Sequence, residues 1–263
     1  MFSNEQWLAN SGADFYNGVA TQSLRFDDGS SAFLSRTPAG ASNQKTWTFS
    51  AWIKPSNVTI SRSIFARHDS GSNTFLFRLD QNDDLQVENY TSGAYQLHLV
   101  TDAKFRDTSA WYHVVLSLDT TQGTAANRAK LYVNGVQQTS FSSSTYPSQN
   151  ADLKVNAAAV HRIGARAPDN YFDGYMAEVN FVDGTQLAPT SFGETKNGVW
   201  IPIDTSGLTF GTNGFRLDFA DNAVDAPTSE GTEDTDNIGS DSSGEHNNWT
   251  SSGIVASDCA MPD

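Results

Sequence analysis

The sequence has little positive charge and almost no cysteine. Up to Arg216 it contains 19 acidic and 16 basic residues, and beyond Arg216 it contains 11 acidic residues and no Lys or Arg. Because nucleic-acid binding depends largely on Lys and Arg contacts to phosphates, we expect no nucleic-acid partner. A single cysteine, Cys259, excludes an intrachain disulfide, so packing must hold the fold together.

Long hydrophobic runs are also missing. No segment approaches the roughly 18 consecutive apolar residues of a membrane-spanning helix. The N-terminal stretch MFSNEQWLANSGADFYNG has neither the basic start nor the apolar run of a signal peptide. We therefore predict no membrane insertion and no signal peptide.

Short segments of alternating apolar and polar residues fill the chain from Ser23 onward. About a dozen of them, separated by turn residues, predict half-buried antiparallel strands. The dipeptides Asn134-Gly135 and Asp183-Gly184 suit two-residue hairpin turns. The predicted fold class is all-β, an antiparallel two-sheet jelly-roll sandwich. In the segment TWTFSAWIKP the alternation predicts an inward face and an outward face, namely Trp47, Phe49, Ala51 and Ile53 against Thr48, Ser50, Trp52 and Lys54.

Composition divides the chain into three parts. Residues 1–22 lack sustained periodicity but carry several large apolar residues, so this N-terminal arm either completes the core or docks onto another subunit. Residues 23–220 hold the alternating segments and are the predicted jelly-roll domain. Residues 221–263 are acidic and poor in apolar residues, which predicts an acidic C-terminal strap or tail with four apolar anchors, Ile238, Trp249, Ile254 and Val255.

The order of several motifs resembles a known family. The segments SLRF, TWTFSAWIKP, WYHVVLSLDT, AKLYVNG, RIGARA and YFDGYMAEVNFVDG follow one another between residues 23 and 220. This order is similar to that of the laminin-G-like, pentraxin-like jelly roll of the concanavalin-A-like superfamily. The resemblance implies the same fold that the alternation predicts.

Other segments resemble a narrower group, the particle proteins of marine tailed bacteriophages. They include LSRTPAG, SFGETKNGVWIPI, GTNGFRLDF and DSSGEHNNWT. This resemblance implies a virion protein of a tail, a fibre or the capsid surface, assembled in the host cytoplasm. The partners it implies are other virion proteins, and a homo-oligomer is the default expectation for self-association.

Sequence patterns that support catalysis are missing. Glycan hydrolysis needs a pair of carboxyl groups, which some branches of the concanavalin-A-like superfamily place on one strand as E-x-D-x-x-E. The segment AEVNFVDG has Asn180 where the Asp would stand, and the other glutamates also fail the pattern. Neither a G-x-S-x-G elbow nor an H-E-x-x-H motif occurs. We predict that the protein is not an enzyme.

Calcium is the metal that the oxygen-rich loops favour, because it prefers carboxylate and carbonyl ligands. The segment DTDNIGSDSSGE matches an EF-hand loop at four positions, which include Asp234, Asp236 and Glu245. It departs from that loop at Ile238 and Asp241, and a solvated acidic strap is the alternative.

A second calcium hypothesis comes from the family resemblance. It implies loop carboxylates near the terminal strand, and the positions that fit here are Asp173 and Glu178. Glu178 is equally suited to hydrogen-bond backbone amides at the sheet edge.

Tyrosines in predicted loops are candidates for glycan contact, because sugar rings stack on exposed aromatic side chains. Tyr90 and Tyr95 flank a TSGA turn, and Tyr171 lies in a later loop. By contrast, strand positions such as Trp111 are explained by core packing. Packing of the loop tyrosines against a neighbouring subunit is the alternative.

Two functions are consistent with these observations. The first is a non-catalytic structural or adhesion module of a bacteriophage particle that mediates subunit or host-surface contact. The second is a carbohydrate-binding module, assisted by calcium, that recognises host surface glycans.

Overall fold

The chain folds almost entirely into short strands in a computed structural model, which describes residues 17–70, 73–224, 231–232, 234 and 236–262. One short helix, α1 (Ala125–Arg128), and three 3-10 turns (Asp28–Ser30, Pro189–Ser191 and Ala256–Asp258) occur in this part of the chain. The strands are β1 (Ser23–Phe26), β2 (Phe33–Arg36), β3 (Thr46–Pro55), β4 (Arg62–Ser70), β5 (Asn73–Leu79), β6 (Asp84–Thr91), β7 (Ala94–Lys104), β8 (Tyr112–Asp119), β9 (Ala129–Val133), β10 (Val136–Gln137), β11 (Phe141–Thr145), β12 (His161–Ile163), β13 (Gly174–Asp183), β14 (Gly193–Lys196), β15 (Val199–Pro202), β16 (Phe215–Leu217), β17 (Thr250–Ser252) and β18 (Cys259–Ala260).

These strands form two large antiparallel sheets. Sheet A has the order β10-β9-β8-β3-β13-β1-β18, and β16 also pairs with β13. Sheet B has the order β11-β7-β6-β5-β4-β12-β2-β17, while the hairpin β14-β15 is a separate two-stranded sheet. The prediction of an all-β, two-sheet jelly-roll sandwich is confirmed.

The main hydrophobic core lies between the two large sheets. Trp47 and Phe49 of sheet A meet Phe65 and Phe75 of sheet B within it. The rings of Phe49 and Phe65 stack with their centroids 4.8 Å apart, and Trp47 meets Phe75 edge-on at 5.7 Å. Such contacts add to the free energy gained by burying the rings. This core determines which face of each strand points outward.

A second, smaller core covers the outer face of sheet A. Val115 and Val182 of that face pack against Phe192 and Phe210 of the segment that follows β13. The predicted half-buried character of β3 is therefore wrong, since its outward residues are covered by this segment. Thr48 and Ser50 are fully buried and Trp52 is only 2% exposed.

The two predicted hairpin turns have different outcomes. Asn134 and Gly135 have positive φ angles of 49° and 78° and join β9 to β10, which confirms the first. The second is wrong, because β13 pairs with β3, β1 and β16 and not with a strand that follows it directly. The Asp183 side chain is instead buried, where it accepts hydrogen bonds from Asn156 Nδ2 at 2.6 Å and from the Asn213 backbone N–H at 3.1 Å.

The acidic C-terminal segment contributes strands to both sheets. β17 pairs with β2 in sheet B, and β18 pairs with β1 in sheet A. Ile238 and Trp249 are 1% exposed and belong to the main core, and Ile254 is also buried. Val255 does not anchor the segment, because it is 56% exposed. Of the predicted N-terminal arm, residues 1–16 lie outside the described residues.

No helix in the described ranges has the length and apolar character needed to cross a membrane.

Candidate functional site

The outer face of sheet B carries polar and aromatic side chains. The strand register pairs Leu76 of β5 with Glu88 of β6, and Glu88 with His98 of β7. Two residues further along β5 and β6, it pairs Arg78 with Gln86. Their neighbours in the same strands point into the main core. Because side chains alternate along a strand, these residues point away from the core. We refer to this surface as the outer face of sheet B.

A hydrogen-bonded network crosses this face. Arg78 Nε donates to Gln86 Oε1 at 3.0 Å, and Gln86 Nε2 lies 2.9 Å from His98 Nε2 and 3.3 Å from Glu88 Oε2. Since an amide nitrogen only donates, His98 Nε2 accepts, and His98 Nδ1 then donates to Ser143 Oγ at 3.0 Å. Burial lowers the pKa of His98, which favours the neutral ring that this arrangement needs.

Two of the predicted glycan-contact residues meet at one end of this network. The Tyr95 ring stacks on His98 with centroids 4.2 Å apart and meets Tyr90 edge-on at 4.9 Å. Tyr95 is 45% exposed, so one part of its ring remains open to solvent. Burial and the nearby Glu88 carboxylate raise the pKa of the Tyr95 hydroxyl. The pair is a partly exposed aromatic surface held in place by the polar network.

The third predicted residue, Tyr171, lies beside a different strand of the same sheet. Its ring centroid is 6.4 Å from that of Phe33 on β2, and the guanidinium carbon of Arg162 lies 6.0 Å from the Phe33 ring centroid. Four strand steps separate β6 from β2 in sheet B, which at 4.8 Å a step is about 19 Å. The structure therefore does not bring Tyr171 together with Tyr90 and Tyr95.

The loop between β12 and β13 lies close to the outer face of sheet B. Arg166 Nε donates to Asp169 Oδ1 at 2.7 Å, which clips this loop together. The pKa of His68 is lowered by burial and by the charges of Arg166 and Arg162. His68 Nδ1 and Arg162 Nε are buried without a hydrogen-bond partner in the described part of the chain.

An acidic cluster lies at the end of β1. Carboxylate oxygens of Asp27, Asp28 and Asp173 lie within 4.8 Å of one another. Asn57 Nδ2 donates to Asp173 Oδ2 at 2.9 Å, while Asn57 Oδ1 is buried and has no hydrogen-bond partner among the described residues. Burial raises the pKa of Asp173, and the charges of Asp28 and Asp27 add to this effect. Of the metal ligands predicted from the sequence, Asp173 belongs to a carboxylate cluster among the described residues.

Glu178, the second residue of that prediction, is engaged elsewhere. It has a positive φ of 45° in a bulge of β13, and its carboxylate accepts two hydrogen bonds from Arg216, both at 3.0 Å. Burial raises the pKa of Glu178 even though Arg216 opposes the shift. Asp173 and Glu178 do not form one ligand group among the described residues.

The EF-hand-like segment also fails to bring its carboxylates together. Asp234, Asp236 and Glu245 form no group with oxygen atoms within ligand distance in the described ranges. Asp241, which breaks the EF-hand pattern, has a structural role. Its carboxylate accepts hydrogen bonds from the backbone N–H groups of Arg216 at 2.9 Å and Asn247 at 2.7 Å.

Sequence reasoning missed several residues of these surfaces and misplaced one aromatic. The network of Arg78, Gln86 and Glu88 depends on strand pairing, which alternation within one strand does not reveal. The tandem Asp27 and Asp28 after SLRF were a visible signal for the acidic cluster. Trp111 is half-buried at a surface groove and is not part of the main core, so its assignment to the core is wrong. It lies in the loop that directly precedes β8.

Comparison with known families agrees with this fold. The family Laminin_G_3, described as the concanavalin A-like lectin/glucanases superfamily, matches residues 27–190. The chain belongs to this superfamily. Its name joins lectins, which bind glycans, with glucanases, which hydrolyse them, so the properties of the site must separate binding from hydrolysis. The match ends before the hairpin β14-β15 and the C-terminal strands. Comparison with curated proteins finds no match.

Solved structures of similar fold have low sequence identity to this concanavalin-A-like domain. A heptameric SAP-like pentraxin from Limulus polyphemus is 14% identical, with a TM-score of 0.47 over 65% of this chain and 79% of the pentraxin. Domain 4 of AbnA, a GH43 extracellular arabinanase from Geobacillus stearothermophilus, is 21% identical, with a TM-score of 0.43 over 59% of this chain and 68% of that domain. Domains LG4-5 of the mouse laminin alpha1 chain are 13% identical, with a TM-score of 0.44 over 62% of this chain and 42% of the laminin chain.

Proposed function

We propose that this concanavalin-A-like domain is a non-catalytic adhesion module of a bacteriophage particle that contacts host surface glycans through the outer face of sheet B. The observation that carries the glycan contact is the partly exposed Tyr95 ring, stacked on His98 beside a hydrogen-bonded polar network. The resemblance of segments such as SFGETKNGVWIPI to phage particle proteins supports the setting.

The chemistry of this face suits a sugar. A pyranose ring presents apolar C–H groups on its faces and hydroxyl groups at its edges, so it needs an aromatic surface next to donors and acceptors. Tyr95 provides the surface, while Ser143, which is hydrogen-bonded to His98, and Tyr90, which meets Tyr95 edge-on, are adjacent polar side chains. Binding energy gained on such a face comes from stacking and from hydrogen bonds that replace those to water.

We propose binding and not hydrolysis because the nearby carboxylates are already held in hydrogen bonds and ion pairs. Hydrolysis requires two carboxyl groups that are available on either side of the scissile bond. Asp169 is held by Arg166, and Glu88 accepts a hydrogen bond from Gln86 and lies 3.9 Å from Arg78 NH2. Both acids are thus engaged in contacts that organise the face.

The test is an array of bacterial surface polysaccharides and neutral oligosaccharides probed with the purified protein, followed by calorimetry on any glycan that binds. We expect Tyr95→Ala to reduce the affinity at least tenfold. Tyr95→Phe keeps the ring and should retain most of the affinity, which makes it the matched control. Absence of binding across the array, equal binding by Tyr95→Ala, or release of new reducing ends from a bound glycan would overturn the proposal.

A calcium ion at Asp27, Asp28 and Asp173 is part of this proposal. Calcium binds carboxylate and amide oxygens at 2.3–2.6 Å, so ligand oxygens around one ion lie up to about 5 Å apart. The three carboxylates satisfy this condition, and the buried Asn57 Oδ1 would be a neutral fourth ligand. The ion would offset the mutual repulsion of the three acids and fix the loop that leads into β13.

Other virion proteins and further copies of this chain are the proposed partners within the particle, which would assemble in the host cytoplasm. The copy number of the chain in purified particles tests this setting. Trimeric occupancy would favour a fibre, and a very high number would favour capsid decoration. Absence of the chain from particles would refute a virion role without affecting the glycan test.

A further inference from the structure

A groove lined by tryptophans lies on the opposite side of the sandwich, between the hairpins β9-β10 and β14-β15. It has a volume of about 590 Å³, within the range of binding pockets. Three of the five described tryptophans line it. We call it the tryptophan groove, and its lining residues are Trp52, Trp111, Asn134, Val136, Thr195, Gly198, Val199 and Trp200.

One wall of the groove is rigid. Trp200 Nε1 donates to His113 Nδ1 at 3.0 Å, and the His113 ring stacks between Trp200 and Trp52 with centroid distances of 5.9 and 4.7 Å. A Cβ atom on Gly135 or Gly193 would lie only 2.7 Å from the Trp200 ring. The indole is thus fixed by close contacts with two glycines, so the groove is preformed.

The rim of the groove is apolar and exposed. Val136 is 65% exposed and Val199 is 42% exposed. Every residue that lines the groove is uncharged. Exposed apolar surface concentrated in a concave site marks a place where another apolar segment binds. The groove therefore fits an occupant with large apolar side chains and little charge.

The first described residue, Asn17, lies near the groove, and a segment rich in large apolar residues precedes it in the sequence. Asn17 Nδ2 donates to the carbonyl oxygen of Pro202, at the end of β15 whose first residue is Val199. Three residues of a strand span about 10 Å, so Asn17, which directly follows residues 1–16 in the sequence, lies close to the groove. Sixteen residues can reach up to about 53 Å, which is more than enough to cover it. Their large apolar side chains are Phe2, Trp7, Leu8, Phe15 and Tyr16.

We propose that the tryptophan groove is the docking site for residues 1–16 of the same chain. Its apolar walls would bury the aromatic side chains of this segment, and burial of such side chains favours docking. The superfamily match covers residues 27–190, and the hairpin β14-β15 lies beyond its end. The hairpin contributes half of the lining residues of the groove, and the docking site does not depend on the proposed glycan contact.

Hydrogen–deuterium exchange of the full chain, read by mass spectrometry on peptides from residues 1–16, tests the proposal. We expect these amides to exchange at least tenfold more slowly in the wild type than in the double variant Val136→Asp with Val199→Asp. Val160→Asp, at a 37% exposed valine outside the groove, is the matched control and should keep the protection. Trp7→Ala alters the segment without altering the groove and should also release it.

Each other outcome argues against docking within one chain. Unprotected exchange of residues 1–16 in the wild type, or protection that survives the double variant, would refute it. Light scattering of the same samples measures their oligomeric state. If the double variant converts an oligomer into a monomer while Val160→Asp does not, the groove holds a second copy and the proposal is wrong.

Discussion

Arg216 and Glu178 form a buried two-point ion pair that joins β16 to the bulge in β13. The guanidinium donates from Nε and from Nη2 to the two carboxylate oxygens, each at 3.0 Å. Their side chains are only 12% and 4% exposed. The pair lies where β13 changes partners, since residues 174–176 pair with β1 and residues 179–181 pair with β16. It therefore holds together the point at which three strands of sheet A meet.

Arg216→Ala should lower the free energy of unfolding by about 3–5 kcal/mol, because it leaves the buried Glu178 carboxylate without its partner. The double variant Glu178→Leu with Arg216→Met should recover much of that loss. Urea denaturation followed by fluorescence measures both. Arg166→Ala, at a more exposed pair, is the control and should cost about 1 kcal/mol or less. An effect of Arg216→Ala as small as that of Arg166→Ala would contradict this account.

Stability should fall as the pH is lowered from 6.5, because two histidines are buried in the neutral form. Burial lowers the pKa of His113 and of His161 to about 3. Between pH 3 and 6.5 the unfolded chain binds these protons and the folded chain does not, so acid favours unfolding. Each histidine contributes a slope of up to about 1.4 kcal/mol per pH unit.

A proton on His113 Nδ1 would also place a second N–H donor opposite Trp200 Nε1–H, so the folded state disfavours the charged ring at this contact as well. His113→Gln should therefore reduce the slope of unfolding free energy against pH between pH 6.5 and 5 by up to about 1.4 kcal/mol per pH unit. Urea titrations at several pH values measure this slope. An unchanged slope in the variant would show that His113 titrates normally in the folded protein.

Alternation in the sequence was sufficient to predict the strands and the sandwich, but not the layer that covers sheet A. In β3 the residues Thr48, Ser50 and Trp52 alternate with apolar ones and so indicate a solvent-facing side. They are buried because the segment after β13 folds back over them, and such long-range coverage leaves no local pattern. The Asp183-Gly184 turn was wrong for the same reason. Its aspartate is used for buried contacts to Asn156 and Asn213, which are distant in sequence.

The candidate site could be predicted only where its residues are close in sequence. Tyr90 and Tyr95 flank a single turn, so their proximity could be predicted from the sequence alone. Tyr171 and Asp173 depend on the path of the loop before β13, and their true neighbours, Phe33 and Asp27, come from the first strands. The pairing of Arg216 with Glu178 was also invisible, since it requires the register of β16 on β13.

Gly193→Ala should disturb Trp200 and with it the wall of the tryptophan groove. The added Cβ would lie 2.7 Å from the ring, which neither the ring nor the hairpin can accommodate without moving. Overpacking of this kind costs about 1–3 kcal/mol. Gly207→Ala, where no atom lies within 4 Å, is the matched control. Near-UV circular dichroism should change for the first variant and not for the second, and identical spectra would indicate that Trp200 is loosely held.

Calcium should raise the melting temperature if Asp27, Asp28 and Asp173 hold an ion. A ligand that binds only the folded state at 100 times its Kd adds about 2.7 kcal/mol of stability. Asp173→Asn should abolish the shift, because it removes one carboxylate charge of the cluster while its amide oxygen can still accept the hydrogen bond from Asn57.

The variant Asp234→Asn tests whether calcium binds at this cluster or at the EF-hand-like segment, because Asp234 is the first position of that segment. Thermal unfolding with calcium and with a chelator should give the same shift for Asp234→Asn as for the wild type. A shift that disappears in Asp234→Asn and persists in Asp173→Asn would move the ion to the C-terminal segment. Equal melting temperatures in calcium and chelator for the wild type would remove calcium from the proposed function altogether, and the glycan contact at Tyr95 would then have to be independent of metal.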